Sequence, residues 1–346
     1  MKLIKTTTLA LFTGLAMTSC LEDDVAITEP VEDPKAVDLY VTNHNDGDVR
    51  KYDLVNNSIT TYSNVSTDAE GIYYDPSDDS FVQAERSPNA RLAAFLDVNA
   101  DVMNSTNGTV SVTSSFGSGL TDGLTSPRDI AVDGNLYIVS DNSPVDGDNT
   151  KGRFFIYIRE SGNMTLRNIV TVNFNVWGIE LVDDDLYAVV DKTNKLAKFT
   201  NFLGTNTTNA TVEASKTIAI AGIVRTHGLA FDDGVMVLTD IGDAASATDG
   251  AFTIITGFEQ KFHSVQDGEA LSSASQTRVE GSLTFLGNPV SVELFSEAGL
   301  VLIAELANGE GRVLGFSRIQ TSGGNMSPVI NNSLTGASSL YLYEEE

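Results

Sequence analysis

Pro127-Arg128-Asp129-Ile130-Ala131-Val132-Asp133-Gly134-Asn135-Leu136-Tyr137-Ile138-Val139-Ser140-Asp141 is the stretch on which the reading of the fold turns. A short β-rich run meets an acidic Asp-Gly turn and returns as a second β-rich run that closes on an acid, which is the pattern of a tight antiparallel hairpin. The pattern recurs at Val176-Trp177-Gly178-Ile179-Glu180-Leu181-Val182-Asp183-Asp184-Asp185-Leu186-Tyr187-Ala188-Val189-Val190-Asp191 and at Thr226-His227-Gly228-Leu229-Ala230-Phe231-Asp232-Asp233-Gly234-Val235-Met236-Val237-Leu238-Thr239-Asp240. The closing acids Asp141, Asp191 and Asp240 lie 50 and 49 residues apart. A fixed period of that size marks a repeat architecture, so each copy is one supersecondary unit.

Two weaker copies flank these, from Glu70 to Glu85 and from Pro289 to Glu305. Each copy leads into a third β-rich run, such as Gly152 to Tyr157, Lys195 to Phe199 or Gly311 to Phe316, and then into a fourth, polar run. Each unit is therefore a four-stranded antiparallel sheet. Asp38 to Asn43 and Val49 to Tyr52 supply a second and third strand with no first strand before them, whereas Ser338-Ser339-Leu340-Tyr341-Leu342-Tyr343 supplies a first strand with nothing after it. Pairing the two ends closes a ring and removes the free sheet edges. The expected fold is an all-β, six-bladed β-propeller over residues 37–346, closed by the C-terminal strand. Seven blades stay open as the alternative, because the long stretches 86–126 and 256–286 have room for a degenerate blade.

The first residues read as an export signal. Lys2 and Lys5 precede an apolar run through Leu15 and Ala16 that is too short to span a bilayer, and it ends at Met17-Thr18-Ser19-Cys20. Cys20 is the only cysteine, so it forms no internal disulfide. The four residues resemble a bacterial lipobox, with Met17 where Leu is usual. The resemblance implies a signal peptide over 1–19 and lipidation (palmitate) at Cys20. Residues 20–36 are acidic, hold Pro30 and Pro34 and lack apolar periodicity, which marks a flexible tether. Leu21 after the cysteine is not the Asp of an inner-membrane retention signal, and the cluster Glu22-Asp23-Asp24 resembles the export signal of surface lipoproteins of one Gram-negative phylum. The expectation is a lipid-anchored protein of the outer membrane, facing the cell surface, with a spacer facing the periplasm as the other orientation.

The whole chain carries a formal charge of −26, and without residues 1–19 it holds 19 Lys and Arg against 47 Asp and Glu, or −28. Such a polyanion is a poor partner for nucleic acid or a bare anionic bilayer, which leaves anchoring to the lipid.

Tyr40-Val41-Thr42-Asn43 with Asp46, Gly47, Asp48 and Val49 resembles a YVTN-type propeller repeat, and the blades are similar to those of NHL and related families. These families share a fold and no single chemistry. The first strand of each blade lines the channel, so aligned copies put Glu70, Arg128, Trp177, His227, Val290 and Ser338 at its entrance. Glu70, Arg128, Trp177 and His227 are the candidate ligand-binding residues, with Trp177 either stacking on a sugar or plugging the channel.

The residues that close each second strand, Asn43, Glu85, Asp141, Asp191, Asp240 and Glu305, repeat once per blade, as turn residues that accept backbone N–H groups do. Asp141, Asp146 and Asp148 lie in an oxygen-rich loop that could hold calcium, although Pro144 and Arg153 break EF-hand spacing. The sequence has three histidines and none of the common hydrolase, zinc-protease, phosphate-loop or dinucleotide motifs. Ala69-Glu70-Gly71 is similar to the metal-binding glutamate segment of gluconolactonase-like propellers, but the other entrance positions here are Arg128, Trp177 and His227. The leading expectation is a propeller that binds a glycan or a protein partner; the alternative is a metal-dependent lactonase-like hydrolase or lyase.

Overall fold

The computed structural model describes residues 35–345, apart from 101, 103, 104, 106 and 318–322. The signal peptide, Cys20 and the tether up to residue 34 lie outside the described residues. What is described is a six-bladed propeller.

Blade 1 takes its innermost strand from the end of the chain: Ala337–Glu344 pairs antiparallel with Val37–Asn43, in a register that sets Leu340 opposite Val41 and Leu342 opposite Leu39. Val49–Asp53 and Ser58–Ser63 complete it. The inner strands of blades 2 to 6 are Asp68–Asp75, Pro127–Asp133, Val176–Val182, Leu229–Asp232 and Pro289–Phe295. Each touches the next, and the last meets Ala337–Glu344, so the ring is closed around a central channel.

The middle strands are apolar at consecutive positions because both of their faces are covered, one by each neighbouring blade. In Val37–Asn43, Leu39 and Val41 pack with Leu302 and Val313 of blade 6, while Tyr40 between them packs with Ile72 and Phe81 of blade 2. The same alternation yields six apolar clusters, one for each contact between neighbouring blades.

Among the described residues, the two long stretches hold no seventh blade. Within 86–126, Arg91–Phe95 and Phe116–Gly117 are the outer strands of blade 2, and Thr109–Ser111 joins blade 1 in parallel as a fifth strand. Within 256–286, the helix Phe258–Ser264 buries Phe258 and Phe262, Ala270–Leu271 adds a parallel fifth strand to blade 4, and Thr277–Glu280 is the outer strand of blade 5. Ala210–Val212 of blade 4 caps blade 3 in the same way.

Candidate functional site

Successive inner strands start at the same rim, so the residues opening them are brought together by the topology alone. The backbones press close there. Gly178 donates its N–H to the carbonyl of His227 at 3.0 Å, and a Cβ on Gly178 would fall 2.4 Å from that oxygen. At Gly228 a Cβ would stand 2.8 Å from Cα of Ser291. Glycine after Trp177 and after His227 is thus needed for this approach, and the two side chains are held next to each other.

Glu70, Arg128, Trp177 and His227 form a continuous column across the mouth. Arg128 Nη1 donates to both Glu70 oxygens, at 3.0 and 3.2 Å, and Nη2 donates to Ser126 Oγ at 3.1 Å. The Arg128 guanidinium carbon lies 4.1 Å from the Trp177 ring centroid, and the His227 ring stacks on the same indole at 3.8 Å with 7° between planes. Two groups that near one centroid cannot share a face, so the indole is covered on both sides. No flat face of Trp177 is left for a sugar.

The remaining two entrance positions close the circle quietly. Ser338 donates to the carbonyl of Ala69 at 2.7 Å and lies 3.0 Å from Thr42 Oγ1, and Val290 is buried among the apolar residues between blades 6 and 1.

Several groups join the site that the sequence does not point to. His44 bridges Asp68 (Nδ1 to Oδ1, 2.6 Å) and Glu70 (Nε2 to Oε1, 3.0 Å), and Arg86 Nη1 lies 3.4 Å from Asp68 and 3.8 Å from Glu70. At the other end, Asp191 Oδ1 lies 2.9 Å from Arg225 Nη2 and 3.3 Å from His227 Nε2. Neither His227 nitrogen has a hydrogen-bond partner. Asp191 therefore has a place at the mouth beyond that of a strand-closing turn residue. A signal existed for two of these: His44 follows the strand-closing Asn43, and Arg225 stands two residues before His227.

Charge and burial set the protonation states. Burial opposes ionisation of Glu70, but the positive charges of Arg128, His44 and Arg86 outweigh it and hold its carboxyl below the usual range. Burial likewise disfavours charge on His44, yet the Asp68 and Glu70 carboxylates lift it to about 9, so it is protonated at neutral pH. His227 is shifted downward, chiefly by burial, with Arg225 adding to the effect against the pull of Asp191; it is neutral.

Beneath the column lies a cavity of about 40 Å³, room for two or three waters. Asp129, Glu180 and Glu293 line it and are each partly exposed. Asp129 accepts the N–H groups of Ile130 and Ile179, at 2.9 and 3.0 Å, yet burial and the nearby Glu70 charge lift its pKa to about 7. Glu180 and Glu293 are pushed far above the ordinary range by burial and by their mutual repulsion with Asp129 and Asp232.

The calcium candidates do not converge. Asp141 accepts the N–H groups of Thr125 and Ser126, both at 2.8 Å, and meets Arg153 at 3.2 Å. Asp148 serves Thr150 and Lys151, and Asp146 is exposed. The oxygens of Asp141 and Asp148 are spent on backbone, hydroxyl and cationic groups of the protein, and among the described residues no three acidic, histidine or cysteine side chains are arranged to hold a metal ion. Asp240 and Glu305 also accept backbone N–H groups, from Val224 and Arg225 and from Gly287 and Asn288.

The sequence matches no family model and no curated protein. Its fold is similar to that of a chain in the crystal structure of a nidogen/laminin complex, at 13% identity and a TM-score of 0.56, covering 88% of this chain and 98% of that one. It is similar to a putative 6-phosphogluconolactonase from Bacteroides fragilis NCTC 9343, at 9% identity and a TM-score of 0.57 over 91% and 99% of the two chains. It is also similar to the periplasmic gluconolactonase PpgL of Pseudomonas aeruginosa, at 11% identity and a TM-score of 0.56 over 89% and 99%. At these identities the likeness establishes the propeller fold, not an activity.

Proposed function

We propose that this protein is an exported lipoprotein, anchored in the outer membrane through Cys20 and facing the cell surface, whose propeller binds a small ligand at the channel mouth. The observation that carries the binding reading is the convergence of Glu70, Arg128, Trp177 and His227 from four successive blades into one contiguous column. A set of charged and aromatic side chains at the open end of a closed channel is where recognition is economical, since the rigid inner strands fix each group. The anchoring part rests on the lipobox and the acidic tether. Because Trp177 is the only tryptophan, its fluorescence reports on the mouth alone. Titration of the purified protein with glycans, oligosaccharides and sugar acids should change that fluorescence for at least one class. If binding is found by calorimetry while Trp177 stays silent and Arg128→Ala has no effect, the site lies elsewhere.

A second reading is hydrolysis of a lactone, favoured by the Asp191–His227 pair and by the two lactonases among the similar structures. In its metal-dependent form this reading does not fit the residues. Glu70 Oε1 is already within 4 Å of three cationic groups, on His44, Arg86 and Arg128, which would repel a divalent ion. A metal-free route fits better. Neutral His227, with the Asp191 carboxylate 3.3 Å from its Nε2, takes a proton from water as the water oxygen adds to the lactone carbonyl; when the ring C–O bond breaks, the imidazolium returns that proton to the departing alkoxide. Hydrolysis of a lactone panel, lowered about a hundredfold or more by His227→Gln, is the expected result on this reading. Turnover unchanged in that variant would remove it.

A further inference from the structure

Five buried polar atoms without a partner cluster at the mouth: Nε of Arg86, Nε of Arg128, Oγ1 of Thr226 and both ring nitrogens of His227. Thr226 is fully buried and His227 is 4% exposed. Unpaired polar groups are costly in a folded protein, and a concentration of them on one rim marks a place where something else supplies the missing bonds.

The charge at the rim says what kind of group that is. Four cations, His44, Arg86, Arg128 and Arg225, surround three carboxylates, Asp68, Glu70 and Asp191. Among these seven groups positive charges outnumber negative ones by one, in a chain whose net charge is −26. The cationic side chains remain between 12% and 23% exposed, so they still present N–H groups outward. Below the rim, the cavity lined by Asp129, Glu180 and Glu293 is too small for a ligand body, and the only cation it touches is Arg128 at its upper edge, against three acidic residues. An anionic head group is therefore drawn to the rim and stopped there.

We infer that the channel mouth recognises a single carboxylate carried on a small polar molecule such as a sugar acid, with Arg86 and Arg128 as its principal donors. This inference rests on the reading of the mouth as a ligand site. One excess positive charge matches a monoanion, and planar guanidinium groups suit a carboxylate's two oxygens. A phosphate dianion would overshoot the balance and crowd Asp68, Glu70 and Asp191. A neutral sugar would leave the excess charge without a partner.

The test uses the purified protein with gluconate, glucuronate and acetate as carboxylates, glucose as the neutral control and inorganic phosphate as the dianion. Trp177 fluorescence and calorimetry are read at low and high salt. At least one sugar acid should bind at least about tenfold more tightly than glucose or phosphate, and its affinity should fall with ionic strength. Arg86→Ala should weaken that binding about tenfold or more, and Arg86→Lys should restore part of it. Glucose binding as tightly as the sugar acids would overturn the carboxylate inference and leave the mouth as a ligand site. Tighter binding of phosphate would overturn it in the same way. If none of the three carboxylates binds, the inference is overturned, and silence of Trp177 toward the wider glycan panel would take the mouth reading with it.

Discussion

His227 lies flat against Trp177, ring centroids 3.8 Å apart and planes 7° from parallel, and the opposite face of the same indole is held by Arg128. The tryptophan is thus a spacer that joins an acid–guanidinium pair on one side to an acid–imidazole pair on the other. It couples two halves of the rim that come from different blades.

Replacing it should separate stability from recognition. Trp177→Ala removes a half-buried aromatic ring and should lower stability by about 3 kcal/mol, seen as a fall in melting temperature. If the rim binds a ligand, affinity in the surviving folded fraction should also drop, by about 2 kcal/mol or more. Unchanged stability would mean that the indole does not hold the column together.

Closure of the ring depends on the last strand. Truncation after Thr335 removes Ala337–Glu344, strips blade 1 of its inner strand and uncovers Leu39 and Val41. Each buried aliphatic side chain contributes about 1.5–3 kcal/mol against a total of about 5–15 kcal/mol, so the truncated chain should aggregate or melt far below the intact one. Equal melting temperatures would refute closure by this strand.

His44 should give stability a basic limb. Its pKa in the folded protein is about 9, above the value of about 6.5 for a free imidazole, so its stabilising contribution is fully present below about pH 6.5 and is lost as pH rises through about 9. The melting temperature should fall across that window, and His44→Gln should flatten the fall. A wild-type curve level from pH 6.5 to 9 would contradict the pairing with Asp68 and Glu70.

Asp129 acts in the opposite chemical sense. Its carboxyl is raised from an ordinary value near 3.8 to about 7, so the folded state holds a proton that the unfolded chain has released, and stability declines as pH rises between those two values. Asp129→Asn should lessen that decline when unfolding is followed from pH 4 to 7. An identical slope in the variant would show that Asp129 titrates normally.

Anchoring is tested by Cys20→Ser, which should abolish acylation and release the protein from membranes while its melting temperature stays the same. Complete retention with membranes after a high-salt wash would refute the lipoprotein reading.

The blades were legible because a hairpin is local: Asp133-Gly134 and Asp233-Gly234 announce their turns in the chain itself, and Leu340 and Leu342 alternate as an inner strand must. The four mouth residues were legible for the same reason, since equivalent positions in a repeat arrive at equivalent places. What Trp177 does there was not legible, because it depends on the distance between three blades rather than on any one. Nor was the role of His44, whose partners Asp68 and Glu70 lie on another blade. The parallel fifth strands also leave no mark: Thr109–Ser111 and Ala270–Leu271 are too short to show a period, and they form only because a neighbouring edge is available.

Ring closure by Ala337–Glu344 also bears on when the protein can finish folding. The partner of Val37–Asn43 is nearly three hundred residues away, so on a growing chain the first blade waits with an unfilled inner edge until Ala337–Glu344 is made. The same delay leaves one strand edge exposed to other chains for the whole of synthesis, so synthesis itself, more than the mature fold, is the stage at which this protein is vulnerable to aggregation.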